Sequence, residues 1–144
     1  MIAIEIPFEP VPWAAPQYAH RHVYDKREAD KRAIRYLVRE QYKGPVLNEY
    51  VFLEFLFGIS IPKSTSKKNR MLMLVHEIIP TRCDCTNLQK LFEDCLKGIV
   101  IKDDRMAEIV LSAKIYSEKP FMNVQVHTRR DRKEKMAGMG QLCG

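Results

Sequence analysis

Residues Asp84 to Asp104 read DCTNLQKLFEDCLKGIVIKDD. Leu88, Leu91, Phe92, Cys95 and Leu96 recur at offsets of three, four, seven and eight, the spacing of a helix with one buried stripe. That spacing predicts a helix over about Asn87 to Lys97, with Gly98 at the position where a left-handed residue ends it. Asp84 stands just before the helix, Asn87, Lys90 and Asp94 share a second face, and Asp103–Asp104 follows the glycine. Such a layout gathers oxygen ligands for a hard divalent ion and leaves a cation beside it. In a chain of net charge +6, it predicts metal-dependent chemistry on a polyanion, DNA foremost.

Outward from this stretch the chain alternates helices and strands. Val46 to Ile61 (VLNEYVFLEFLFGISI) is rich in β-branched and aromatic residues and predicts a long central strand closed by Pro62. Asp25 to Tyr42 carries Ala29, Ala33, Ile34, Leu37 and Val38 at helical spacing and ends at Gly44–Pro45. Residues 2 to 6 alternate as a short strand, and four prolines between Pro7 and Pro16 exclude regular structure there. Two more strands are expected near Met106–Tyr116 and Phe121–His127. Lys63 to Arg70 reads as a polar basic loop, and Met71 to Ile79 is apolar but fits helix and strand equally. The expectation is an α/β (mixed α+β) domain over residues 1–127, one sheet of about four strands flanked by helices. A loose basic tail follows over 128–144, with five Lys/Arg against Asp131 and Glu134.

At 144 residues, 46% hydrophobic and 29% charged, the chain reads as one globular domain with a core of its own. No apolar run approaches the roughly 18 residues of a membrane span, and the N-terminus lacks the basic region of an export signal. A cytoplasmic setting with reduced thiols follows for Cys83, Cys85, Cys95 and Cys143. A zinc site on Cys83-x-Cys85 with His76 or His127 lacks both the usual cysteine spacing and a second pair.

Each piece of the central stretch also has an ordinary structural reading. Thr86 and Gln89 form a T-x-x-Q capping box, Lys90 and Asp94 a solvated i,i+4 ion pair, and Asp103–Asp104 a turn. His20, Arg21 and His22 read mainly as surface residues.

Together, however, Asp84, Asn87, Leu88, Lys90, Asp94, Gly98, Asp103 and Asp104 form the string D-x-x-N-L-x-K-x-x-x-D, followed by the glycine and the Asp-Asp pair. This resembles the signature of the RusA-type Holliday-junction resolvases, and Ile61–Ser64, the Lys67–Lys68 segment and Tyr116–Pro120 agree with it. The resemblance covers roughly residues 2 to 127. It implies a homodimeric endonuclease, with no membrane association, that binds four-way DNA junctions and nicks opposing strands with magnesium or manganese. Carried over by position, Asp84, Lys90 and Asp104 are the catalytic residues. Asp84, Asp103, Asp104 and Thr86 are the metal ligands, and Asn87, Asp94 and Gly98 the structural motif. Lys63, Lys67, Lys68, Arg70 and Arg82 are expected to hold DNA. One departure stands out: Thr86 occupies the position of the family's second aspartate. It leaves open a neutral ligand at Thr86, substitution by Asp94 or Asp103, or a protein that binds junctions without cutting them.

Overall fold

Alternation and burial along one strand organise the molecule. Val51–Ser60 (β4) is buried along almost its whole length and sits between Phe121–Thr128 (β6) and Ala107–Ser117 (β5), with Ile2–Ile6 (β1) on the far side of β6. Strand β1 pairs antiparallel with β6, and β6 antiparallel with β4. Strand β5 lies parallel to β4, with the extra residue Val110 forming a bulge opposite Leu53–Glu54. The computed structural model describes residues 1–143, with side chains through residue 140.

Parallel pairing of β4 and β5 requires a crossover, and helices Lys67–Leu74 (α2) and Cys85–Leu96 (α3) supply it. Glu28–Gln41 (α1) packs beside α3, and their apolar stripes meet the sheet in one core. Leu53, Phe55 and Phe57 from β4, Ile34 and Val38 from α1, and Leu88, Leu91, Phe92 and Leu96 from α3 are all essentially inaccessible to solvent. Gly58 faces its cross-strand partner Phe121, whose ring fills the space a β-carbon would take.

The mixed α/β class, the four-stranded sheet and the place of the central strand are as expected, although that strand starts at Val51 rather than Val46. Two local expectations are corrected, one stretch left open is decided, and one ribbon is found where no element was expected. The segment after Lys63 is a loop only as far as Ser66: Ser66 caps α2, accepting the Asn69 N–H at 3.2 Å, so Lys67, Lys68 and Arg70 are helical. The helix runs on to Leu74, which decides the first part of the ambiguous Met71–Ile79 stretch. Residues 129–143 are helical (α4, Arg129–Cys143) rather than loose. A Thr128–Asp131 capping box starts this helix, with Asp131 Oδ2 accepting the Thr128 N–H at 2.9 Å. Arg132 over the Phe52 ring at 4.3 Å and Lys135 on Glu54 at 3.0 Å hold it against the sheet. Finally, Gln17–Ala19 (β2) and His22–Tyr24 (β3) form a separate two-stranded ribbon. No Asn-Gly or Asp-Gly signal marks its turn; His20 and Arg21 occupy it, both with positive φ.

Candidate active site

Helix α3 starts two residues earlier than its apolar stripe implies. Asp84 is its N-cap, and its Oδ1 accepts the Thr86 N–H at 2.9 Å. Thr86 is therefore not the cap; it lies in the first turn with its hydroxyl exposed to solvent. The loop leading into Asp84 is held from below by β5. Lys114 Nζ donates to the Cys83 carbonyl at 2.5 Å and to the Arg82 carbonyl at 3.4 Å. Cys83 takes a left-handed backbone, φ 63°, immediately before the cap. Sequence reading gave Lys114 no role, because a lysine within a strand carries no pattern of its own.

Lys90 does not pair with Asp94. Its Nζ lies 3.5 Å from the centroid of the Trp13 ring, and the Trp13 backbone N–H donates to the Asn87 carbonyl at 2.9 Å. The proline-rich segment thus clamps the first turns of α3 and fixes the lysine with a cation–π contact. Asp94 turns instead toward α1, where Lys31 reaches it at 4.0 Å while bonding Asp25 at 2.7 Å, and Arg35 binds its carbonyl at 3.3 Å. Asp94 therefore joins two helices and stands apart from Lys90.

The second acidic group lies at the other end of α3. Gly98 (φ 80°) turns the chain back, its N–H bonding the Ile101 carbonyl at 2.8 Å. Leu47 then pins residues 100–102 by two backbone bonds, of 2.8 and 3.1 Å. Asp103 caps a 3₁₀ turn over Asp104–Met106. The Arg105 side chain on Asp103, 2.7 Å at its shortest, holds that carboxyl far below its usual range, and the Arg105 backbone N–H adds to the effect. Asp104 faces Lys97 at 3.4 Å. Glu93, which the sequence reading passed over, points into this same region. Burial pushes its carboxyl up to about 7, the negative charges of Asp104 and Asp94 add to this, and Lys97 opposes it. Its signal in the sequence was only its place three residues after Lys90 and four before Lys97.

The candidate residues of one chain therefore fall into two groups. Asp84, Thr86 and Lys90 stand at the start of α3, and Glu93, Asp103 and Asp104 at its end. The 12 residues of α3 span about 18 Å. The sheet gives the same measure, since Lys114 in the far half of β5 touches the Asp84 loop while Asp103 and Asp104 precede the strand. Accordingly, no three His, Cys, Asp or Glu side chains among the described residues are grouped closely enough to hold a metal ion. The donors are hard oxygens, which suit magnesium or manganese in kind. Cys83 and Cys85 are free, half-buried thiols, and burial pushes the Cys95 thiol up to about 12.

The basic residues divide. Arg82 is bound by Glu9 at 2.6 Å and Arg70 by Glu118 at 3.1 Å. Lys63, Lys67 and Lys68 are exposed, with no acidic partner among the described residues. Glu9 also accepts from Ser60 at the end of β4, so this basic segment lies at the Asp84 end of the sheet. No helix of the described residues is long and apolar enough to cross a membrane. A family model described as Endodeoxyribonuclease RusA matches residues 7–127. A search of curated proteins finds no match to the chain.

Proposed function

The chain belongs to the RusA endodeoxyribonuclease family, and from that premise we propose that it cuts four-way DNA junctions as a homodimer, using magnesium or manganese. The observation that supports this reading is the division of the candidate acidic residues between the two ends of α3. A single chain holds the carboxylates too far apart for one ion. A second copy removes the difficulty if Asp84 and Thr86 of one chain meet the partner's Asp103 and Asp104. A two-fold dimer then has two such sites, matching a substrate in which two opposing strands are cut.

A divalent ion in such a site supplies Lewis-acid polarisation of a phosphate ester and acidifies water for attack. The chain's own residues do the rest. Asp84 is oriented by the Thr86 N–H, leaving its second oxygen for the ion. Lys90, steadied by Trp13, offsets charge that develops on the phosphate. Lys63, Lys67 and Lys68 bind DNA phosphates at the Asp84 end of the sheet, so affinity falls steeply with salt. Arg70 and Arg82 join them on exchanging Glu118 and Glu9 for phosphate. We place this activity in the cytoplasm, where the thiols stay reduced. Thr86 favours a second reading, a junction-binding protein of weakened catalysis, because a hydroxyl ligand brings no charge.

The test is an end-labelled synthetic four-way junction beside a matched linear duplex, with and without magnesium or manganese. Paired nicks in the junction alone, dependent on metal and lost in Asp84→Asn, are expected. Tight binding without cutting at any metal concentration selects the second reading, and no preference for the junction overturns both.

A further inference from the structure

We infer that the β2–β3 ribbon is a DNA-contacting finger that enters the branch point of the junction, with Tyr18 packing on an exposed base pair and Arg21 on the adjacent backbone. This rests on the junction-binding function proposed above and adds the element that recognises branching.

Among the described residues the ribbon has no substantial packing against another strand or helix, and it does not join the main sheet. Its register pairs Tyr18 directly with Val23, so both side chains lie on one face. That face is bare: Tyr18 is 83% and Val23 61% exposed. An apolar surface of this kind on a thin, protruding element lacks a partner within the chain. The tip is His20-Arg21-His22, and its two turn residues hold left-handed backbones, φ 47° and 69°, without being glycine or asparagine. Turn geometry alone favours Asn-Gly here, so strain is tolerated to keep a cation at the tip.

The base of the finger is firm and next to the candidate site. On one side Trp13 is fastened to α3 at Asn87 and Lys90; on the other Asp25 is fastened to Lys31. Arg27 Nε bonds the Pro12 carbonyl at 3.1 Å and ties the two stems together. Residues 17–24 hold Arg21 and no acid, and Asp25, which follows them, is already engaged by Lys31 and by the Arg27 N–H, so the finger is cationic. A cationic tip, an exposed aromatic and a strand pair narrow enough for a DNA groove match a polyanion with an opened base stack better than a protein surface.

The experiment measures binding of the full chain, without divalent metal so that nothing is cut, to a four-way junction carrying 2-aminopurine at the branch point and to a linear duplex. Tyr18→Ala is expected to weaken junction binding about tenfold, to change duplex binding less than about twofold, and to abolish the fluorescence rise at the branch point. Arg21→Ala is expected to weaken both substrates about three- to fivefold. Tyr36→Ala, an exposed tyrosine on α1, serves as the control and should bind as the unaltered chain does. Equal junction binding and equal fluorescence in all variants, with tight binding by the unaltered chain, overturns the finger and leaves the junction function standing. An unaltered chain that binds junction and duplex alike overturns both. Sedimentation is run on each variant: dissociation of Tyr18→Ala into single chains would make the ribbon a protein–protein contact and overturn the inference.

Discussion

At the scale of single residues, Thr86 and Glu93 each carry a test, one of the proposed metal site and one of stability. Thr86 stands in the first turn of α3, near the Asp84 carboxylate that caps the helix. A carboxylate there adds a charged oxygen to the same group, so Thr86→Asp should lower the magnesium concentration for half-maximal cleavage by about tenfold. A metal titration of junction cleavage checks this, and an unchanged or raised midpoint separates Thr86 from the ion. Glu93 makes a prediction about stability. Its folded carboxyl titrates near 7, above the 4.5 of the unfolded chain. Between those values the unfolded chain gives up a proton that the folded chain keeps, so Glu93 makes stability fall as pH rises, with no further change above about 7. Because the side chain is only half buried, the loss is about 1–2 kcal/mol. Glu93→Gln should flatten that part of the curve in denaturant melts between pH 4.5 and 7.

At the scale of elements, the position of Asp84 depends on contacts far from it in sequence. The Lys114 ammonium on β5 props the carbonyls of Arg82 and Cys83 and fixes the loop that presents Asp84. Lys114→Met should lower cleavage by about ten- to a hundredfold while junction affinity holds within about twofold, measured by single-turnover cutting and gel shift. The elements differ in how openly the sequence shows them. β4 and α3 are legible because burial imposes its period on them: an apolar run in the first, a stripe at three and four in the second. The start of α3 was misplaced because two candidate caps, Asp84 and Thr86, lie within three residues, and only the backbone decides between them. The ribbon escaped notice because its turn is made by His20 and Arg21 against their usual preferences. α4 was hidden by a largely polar composition; its capping box and its ion pairs to Glu54 and Glu108 hold it, rather than an apolar stripe. Of the candidate site, Asp84, Lys90, Asp103 and Asp104 could be singled out as candidates from their spacing. Their separation was not legible: the sequence puts α3 between them, but only the backbone bonds of Leu47 to residues 100–102 and the start of β5 show that the chain does not fold back along the helix.

At the scale of the whole molecule, the four-stranded sheet and the crossover through α3 carry one acidic group to each end of the domain. The basic α2 segment, the Trp13 clamp and the ribbon stem all gather at or beside the start of α3. The Asp103–Asp104 end instead carries Lys97 and Arg105, which neutralise its carboxylates in the single chain. Two chains related by a two-fold axis, each with its Asp84 end against the Asp104 end of the other, can exchange these local cations for a shared ion and complete both sites. The account thus makes assembly a condition of chemistry, and it ties the activity to a pair of residues that never meet within one chain.

That claim is tested most directly by mixing two inactive variants. Asp84→Asn and Asp104→Asn should each fail to cut a four-way junction in magnesium. Refolded together, they form mixed dimers in which one site keeps Asp84 from one chain and Asp104 from the other. The account predicts that the mixture regains cleavage, as single nicks rather than paired ones. Continued inactivity of the mixture, with mixed dimers shown to form and the unaltered chain active, would contradict it and return the whole site to a single chain.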